Sequence, residues 1–159
     1  MDYELEHRIK FEYQLEQLSQ AFSNRYNEER QYTVKLNINS STSGNTSLLN
    51  LILLNDITVI SIQFDLILPN NVYISSLNPN NRASHFDVTN TDVVNGMTRV
   101  IMSTDNLDGI IAGDDTVLYI NLFSPMGYNI SNKTIIIKNI SITAAEPVSY
   151  DKDDVNIKL

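Results

Sequence analysis

The residues best suited to chemistry lie between positions 105 and 115, where DNLDGIIAGDD gathers Asp105, Asp108, Asp114 and Asp115 in one turn-rich connection. Carboxylates and carbonyls in such a stretch are hard oxygen donors, and calcium is the cation they would suit. The same residues have a plainer use. Asp-Asn and Asp-Gly pairs bond their own backbone to make turns, and the spacing does not fit an EF-hand loop. Two histidines are present, His7 in the N-terminal segment and His85 in an extended one, and neither has a partner at metal-ligand spacing. Cysteine is absent, which excludes disulfides, zinc-thiolate sites and thiol chemistry. Five glycines leave no phosphate-cradling loop, and neither a nucleophile elbow nor a Ser-His-Asp arrangement is legible. The expectation is a protein that is not an enzyme, with no catalytic residues and no cofactor apart from that candidate calcium.

Charge narrows the partners further. Eleven Lys and Arg against nineteen Asp and Glu give a formal net charge of -8, and the basic residues are scattered, so no nucleic-acid partner is expected. The opening MDYELEHRIKFEYQLEQ carries a charge every few residues. It reads as neither a secretory signal nor a membrane span, and no membrane partner is expected. Asn-x-Ser/Thr triplets begin at Asn39, Asn45, Asn129, Asn132 and Asn139, but a sequence this rich in Asn produces them by chance.

The elements that must position these residues centre on Ile57 to Pro69, ITVISIQFDLILP. Ile60, Ile62, Phe64, Leu66 and Leu68 alternate with Val59, Ser61, Gln63, Asp65 and Ile67, the period of a half-buried, central antiparallel strand. Ahead of it, Asp2 to Glu29 is built of strong helix formers without Pro or Gly. At about 100° per residue, Phe11, Leu15, Leu18, Phe22 and Tyr26 form one stripe. Leu5, Ile9 and Tyr13 lie roughly 120° round the helix from it. The stripe is expected to pack on the chain's own sandwich or an identical copy, and Leu5, Ile9 and Tyr13 to meet a different partner. Further strands are expected over 31–38, 46–54, 83–90, 97–103, 116–123 and 134–143, with NSSTSGN at 39–45 a polar loop and NVYISSL a restarted extended segment. Some eight or nine strands, with turns between them and no intervening helix, make a mainly β protein. The predicted fold is an antiparallel β-sandwich with Greek-key or jelly-roll connections, preceded by one long α-helix. It divides into residues 1–30 as the helix, 31–146 as the sandwich and 147–159 as a tail or edge strand.

The run ISIQFDLILP, the later RVIMSTDNLDGIIAG and TVLYINL, and the closing IIKNISIT resemble the cohesin-like β-sandwich modules of Bacteroides-type proteins, over about residues 32 to 143. The resemblance implies a nine-strand jelly roll. It departs from the family pattern where Asn71 stands in place of a Gly after the strand-ending Pro, and no contact motif for dockerin can be carried over. The helix-plus-sandwich plan is also similar to auxiliary or decoration proteins on the capsids of tailed phages that infect Bacteroides. The function expected on that likeness is a structural protein of a virion, with capsid subunits as partners and a homo-oligomer as a further assembly. The alternative is a module of a bacterial surface protein that binds a protein or a carbohydrate.

Overall fold

The computed structural model describes residues 3–29, 32–93, 96–105, 108–147 and 154–159, with helix side chains described up to residue 20. The chain divides into two compact units, Met1–Gln31 and Tyr32–Leu159. The first is α1, Tyr3–Glu29, whose first turn carries Glu4 and Glu6 where the helix dipole favours negative charge. Both apolar stripes are open. Leu5, Ile9 and Tyr13 are 46 to 63% exposed, and Phe11, Leu15 and Leu18 are 52 to 59% exposed. The described core is drawn from the second unit. Phe22 and Tyr26 lie outside the described side chains.

That unit is a sandwich of nine strands: β1 Val34–Ser43, β2 Thr46–Asn55, β3 Val59–Ile67, β4 Tyr73–Pro79, β5 Asp87–Val93, β6 Met97–Ser103, β7 Gly113–Phe123, β8 Thr134–Ala144 and β9 Val155–Lys158. A short 3-10 turn, Asn81–Ala83, links β4 to β5. All pairings are antiparallel, and the sheets run β1-β2-β7-β4 and β5-β6-β3-β8-β9. The chain crosses repeatedly between the two layers, so neither sheet is complete until residues far apart in sequence have met.

β3 is the middle strand of the five, as its period demands. Ile62, Phe64 and Leu66 point into the core against Leu49, Leu51 and Leu53 of β2 and Leu118, Ile120 and Leu122 of β7, all buried. Fully burying each such side chain is worth roughly 1.5–3 kcal/mol. The alternation is not uniform. A ladder irregularity between Val59 and Ser61 accompanies the change, with Val59 buried and Ile60 half-buried.

Three sequence expectations change. NSSTSGN is not a loop: β1 runs to Ser43 and turns at Gly44-Asn45 into β2, with Gly44 at φ +61. Thr42 Oγ1 and Ser47 Oγ, 2.9 Å apart, supply the cross-strand bond that lets a Ser/Thr-rich stretch pair. The strand expected from Ala83 begins only at Asp87, leaving His85 in a turn. β7 starts at Gly113, so Asp114 and Asp115 belong to a strand and not to the connection before it.

Candidate functional site

The outer face of the five-stranded sheet is read directly from its register, because residues directly opposite across a ladder point to the same side. One rung joins Thr89, Ile101, Gln63 and Ser141; the next joins Thr91, Arg99, Asp65 and Lys138; a third joins Val93, Met97, Ile67 and Ile136. Ile67, Met97, Ile101 and Ile136 are half-buried, so this face offers apolar surface on either side of a rung that carries Arg99, Asp65 and Lys138.

At its centre Asp65 is fully buried. Arg99 Nε donates to Asp65 Oδ1 at 2.8 Å and Arg99 Nη2 to Oδ2 at 3.1 Å, a fork on both carboxylate oxygens. Asn139 Nδ2 donates to Oδ2 at 2.8 Å. The third bond depends on a bulge. Between the pairs Gln63↔Ser141 and Asp65↔Lys138, β8 spends Asn139 and Ile140 opposite the single Phe64, and Asn139 takes φ +54. The Arg99 hydrogen bond holds the Asp65 carboxyl below its ordinary value of 3.8, assisted by Asn139 and by the Arg99 charge, with burial pulling the other way. Arg99 is in turn raised by the carboxylate. A charge that would be costly if alone is thus neutralised within the sheet, and the face carries it with its bonds made. Lys138, beside it, lies 3.6 Å from Asp154 in an exposed pair of small energetic weight.

A second polar knot sits at the end of the other sheet. Arg82 Nη1 donates to the carbonyls of Leu53 (2.9 Å) and Asp115 (3.0 Å), and Nη2 to Asn55 Oδ1 (2.6 Å) and the Ile111 carbonyl (2.9 Å). Asn55, itself buried, donates through Nδ2 to the carbonyls of Ile57, Ile110 and Ile111. These bonds clamp the loop before β7 against the β2–β3 turn. Gly109 allows the close approach, since a Cβ there would overlap the Val59 carbonyl.

The four candidate calcium residues are not gathered. Asp115 Oδ1 accepts from the Thr116 N–H at 2.7 Å, and among the described residues no three His, Asp or Glu side chains converge, these four included. His85 Nε2 lies 3.2 Å from the Gly109 carbonyl, and its ring meets Phe86 edge-on at 5.0 Å between centroids. His7 stacks on Tyr3 at 6.2 Å. Leu5, Ile9 and Tyr13 are exposed on α1. The Asp65–Arg99–Asn139 group was missed by the sequence reading. Its one legible signal is Asp65 itself, a lone acid inside an apolar strand that has to find a cation.

No protein-family model matches the chain, and no curated protein does. Solved structures do. The cohesin module of a family 33 glycoside hydrolase from Clostridium perfringens matches with a TM-score of 0.58 at 14% identity, covering 80% of this chain and 97% of that one. The third cohesin of ScaC from Acetivibrio cellulolyticus, solved in complex with the ScaB dockerin, matches with 0.55 at 16% identity over 80% and 99%. A non-cellulosomal cohesin from the archaeon Archaeoglobus fulgidus matches with 0.51 at 15% identity over 76% and 86%. At these identities the likeness is one of fold: the chain is a mainly β protein with a cohesin-like sandwich.

Proposed function

We propose that the chain is a non-enzymatic module that binds a protein partner through the outer face of its five-stranded sheet. The observation that carries the reading is the third rung, where Val93, Met97, Ile67 and Ile136 line up beside a carboxylate already neutralised by Arg99. A partner can dry that rung without stranding the Asp65 charge, which is what the centre of an interface requires. The cohesin-like fold supports this reading, since one of the similar structures is a cohesin bound to a dockerin. The test is partner capture with a matched control. A partner held by the wild type and lost by Ile101→Asp and Met97→Asp, at unchanged melting temperature, supports the face; one held equally by all three excludes it.

A finer reading is favoured by α1, whose two stripes are both exposed. On it the chain is an auxiliary protein of a virion, attached to capsid subunits through Leu5, Ile9 and Tyr13. The virion, and on the alternative a bacterial surface, is then the place to look for it. Capture of a capsid subunit that is lost in the Leu5→Ser/Ile9→Ser double variant supports this reading, and capture of a non-virion protein overturns it.

A further inference from the structure

The four sheet edges are not alike. β4 is interrupted by a bulge between Ile74 and Ser76 and ends in Pro79, β5 carries Asp87 and Asp92, and β9 is four residues long. These are the devices by which edges resist further pairing. β1 has none of them. It runs for ten residues in unbroken register with β2, from Val34↔Asn55 to Ser43↔Thr46, with no proline and one charge, Lys35. A two-residue hairpin turn closes on a doubly bonded pair, so alternate residues from Ser43 back to Lys35 bond β2, while Leu36, Ile38, Ser40 and Thr42 direct their N–H and C=O groups away from it. Among the described residues no backbone hydrogen bond reaches that side of β1. β9 does not fill the place. It belongs to the other sheet, and Ser40 Oγ, from a side chain on the inward face, donates to the Lys158 carbonyl at 3.4 Å. Where the two diverge, a groove of about 530 Å³ opens, with Leu36, Ile140 and Val155 at its floor.

We infer that the edge of β1, open among the described residues, pairs antiparallel with β1 of a second copy of this chain, joining two four-stranded sheets into one of eight strands. Charge selects this occupant. In a chain of net charge -8, β1 carries no carboxylate, so two copies can approach along it without opposing acids. With Asn39 on the two-fold axis, Lys35 of each copy faces Ser43 of the other and the two lysines stand at opposite ends. The unbonded edge groups of both strands are then satisfied together, and Leu36 and Ile38 gain cover.

The test uses the full chain and light scattering across a concentration series. A dimer is expected for the wild type. Asn39→Lys and Asn39→Asp should each weaken it about five-fold or more, and an equimolar mixture of the two should restore it. Ser40→Pro, which removes an edge N–H that β2 does not use, is expected to give the same loss as a second variant. A wild type that stays monomeric overturns the inference. So does a dimer indifferent to all three variants, which would point to α1, or a mixture that fails to re-form it. The Ile101 and Met97 variants leave β1 untouched, so failure of the sheet-face reading is told apart from failure of this one.

Discussion

Asp65 is the residue whose surroundings decide most. Its carboxyl has a lowered folded-state pKa, so its contribution to stability is present above the unfolded value of about 3.9 and is given up as the pH falls through the lowered value. Thermal melts of wild type and Asp65→Asn should therefore differ at pH 7 and converge as the pH drops below about 4. Arg99→Met should cost more than Asp65→Asn, lowering the melting temperature by about 10 °C, because it leaves a buried carboxylate with only Asn139, whereas the reverse change leaves an arginine that reaches water. Among the described residues, three that are not glycine have positive φ, Asn71, Asn132 and Asn139, and they offer a second comparison. Asn tolerates the left-handed region and glycine does so freely. Asn71→Gly and Asn132→Gly should leave the melting temperature unchanged or slightly raised, and Asn139→Gly should lower it by removing the bond to Asp65. At Asn71 the likeness to the cohesin-like pattern was legible as a departure, Asn for Gly, and the backbone explains it, since both residues suit φ +63. The partners of Asp65 were not legible, because the bulge that delivers Asn139 is a choice of backbone angle with no periodic trace in sequence.

Among the elements, α1 was readable from an unbroken run of helix formers, and β3 from the alternation of Ile62, Phe64 and Leu66 with Gln63, Asp65 and Ile67. β1 was cut short in the reading because Ser and Thr are as common in loops as in paired edges, and only the partner strand tells the two apart. The connection before β7 was read as acidic and turn-rich, which placed the emphasis on its aspartates; its order rests instead on Arg82 and Asn55. Arg82→Met should cost about 2–3 kcal/mol, measured by denaturant unfolding, since it removes at once the four bonds that Arg82 gives to the Leu53, Asp115 and Ile111 carbonyls and to Asn55 Oδ1. For α1, Leu15→Ser and Leu18→Ser are expected to lower the melting temperature of the isolated chain, and Leu5→Ser and Ile9→Ser to leave it nearly unchanged. Equal effects of the two pairs would mean that both faces serve one core.

For the whole molecule, the fold class was legible from strand count and turn spacing, but which strands share a sheet was not. Antiparallel neighbours such as β2 and β7, or β3 and β8, are chosen by long-range complementarity that a local pattern does not carry. That same topology governs how the chain can be made. β2, with TSLLNLILL apolar on both faces, is synthesised early, yet its inner neighbour β7 pairs Thr46 with Phe123 and emerges long afterwards. Until then the chain on the ribosome presents an uncovered, strongly β-forming hairpin, the kind of segment that seeks any available strand. A chain ended at residue 112 is therefore expected to be insoluble when expressed, and the 159-residue chain soluble, with chaperone dependence in a cell-free translation falling once β7 can join β2 and β8 can join β3.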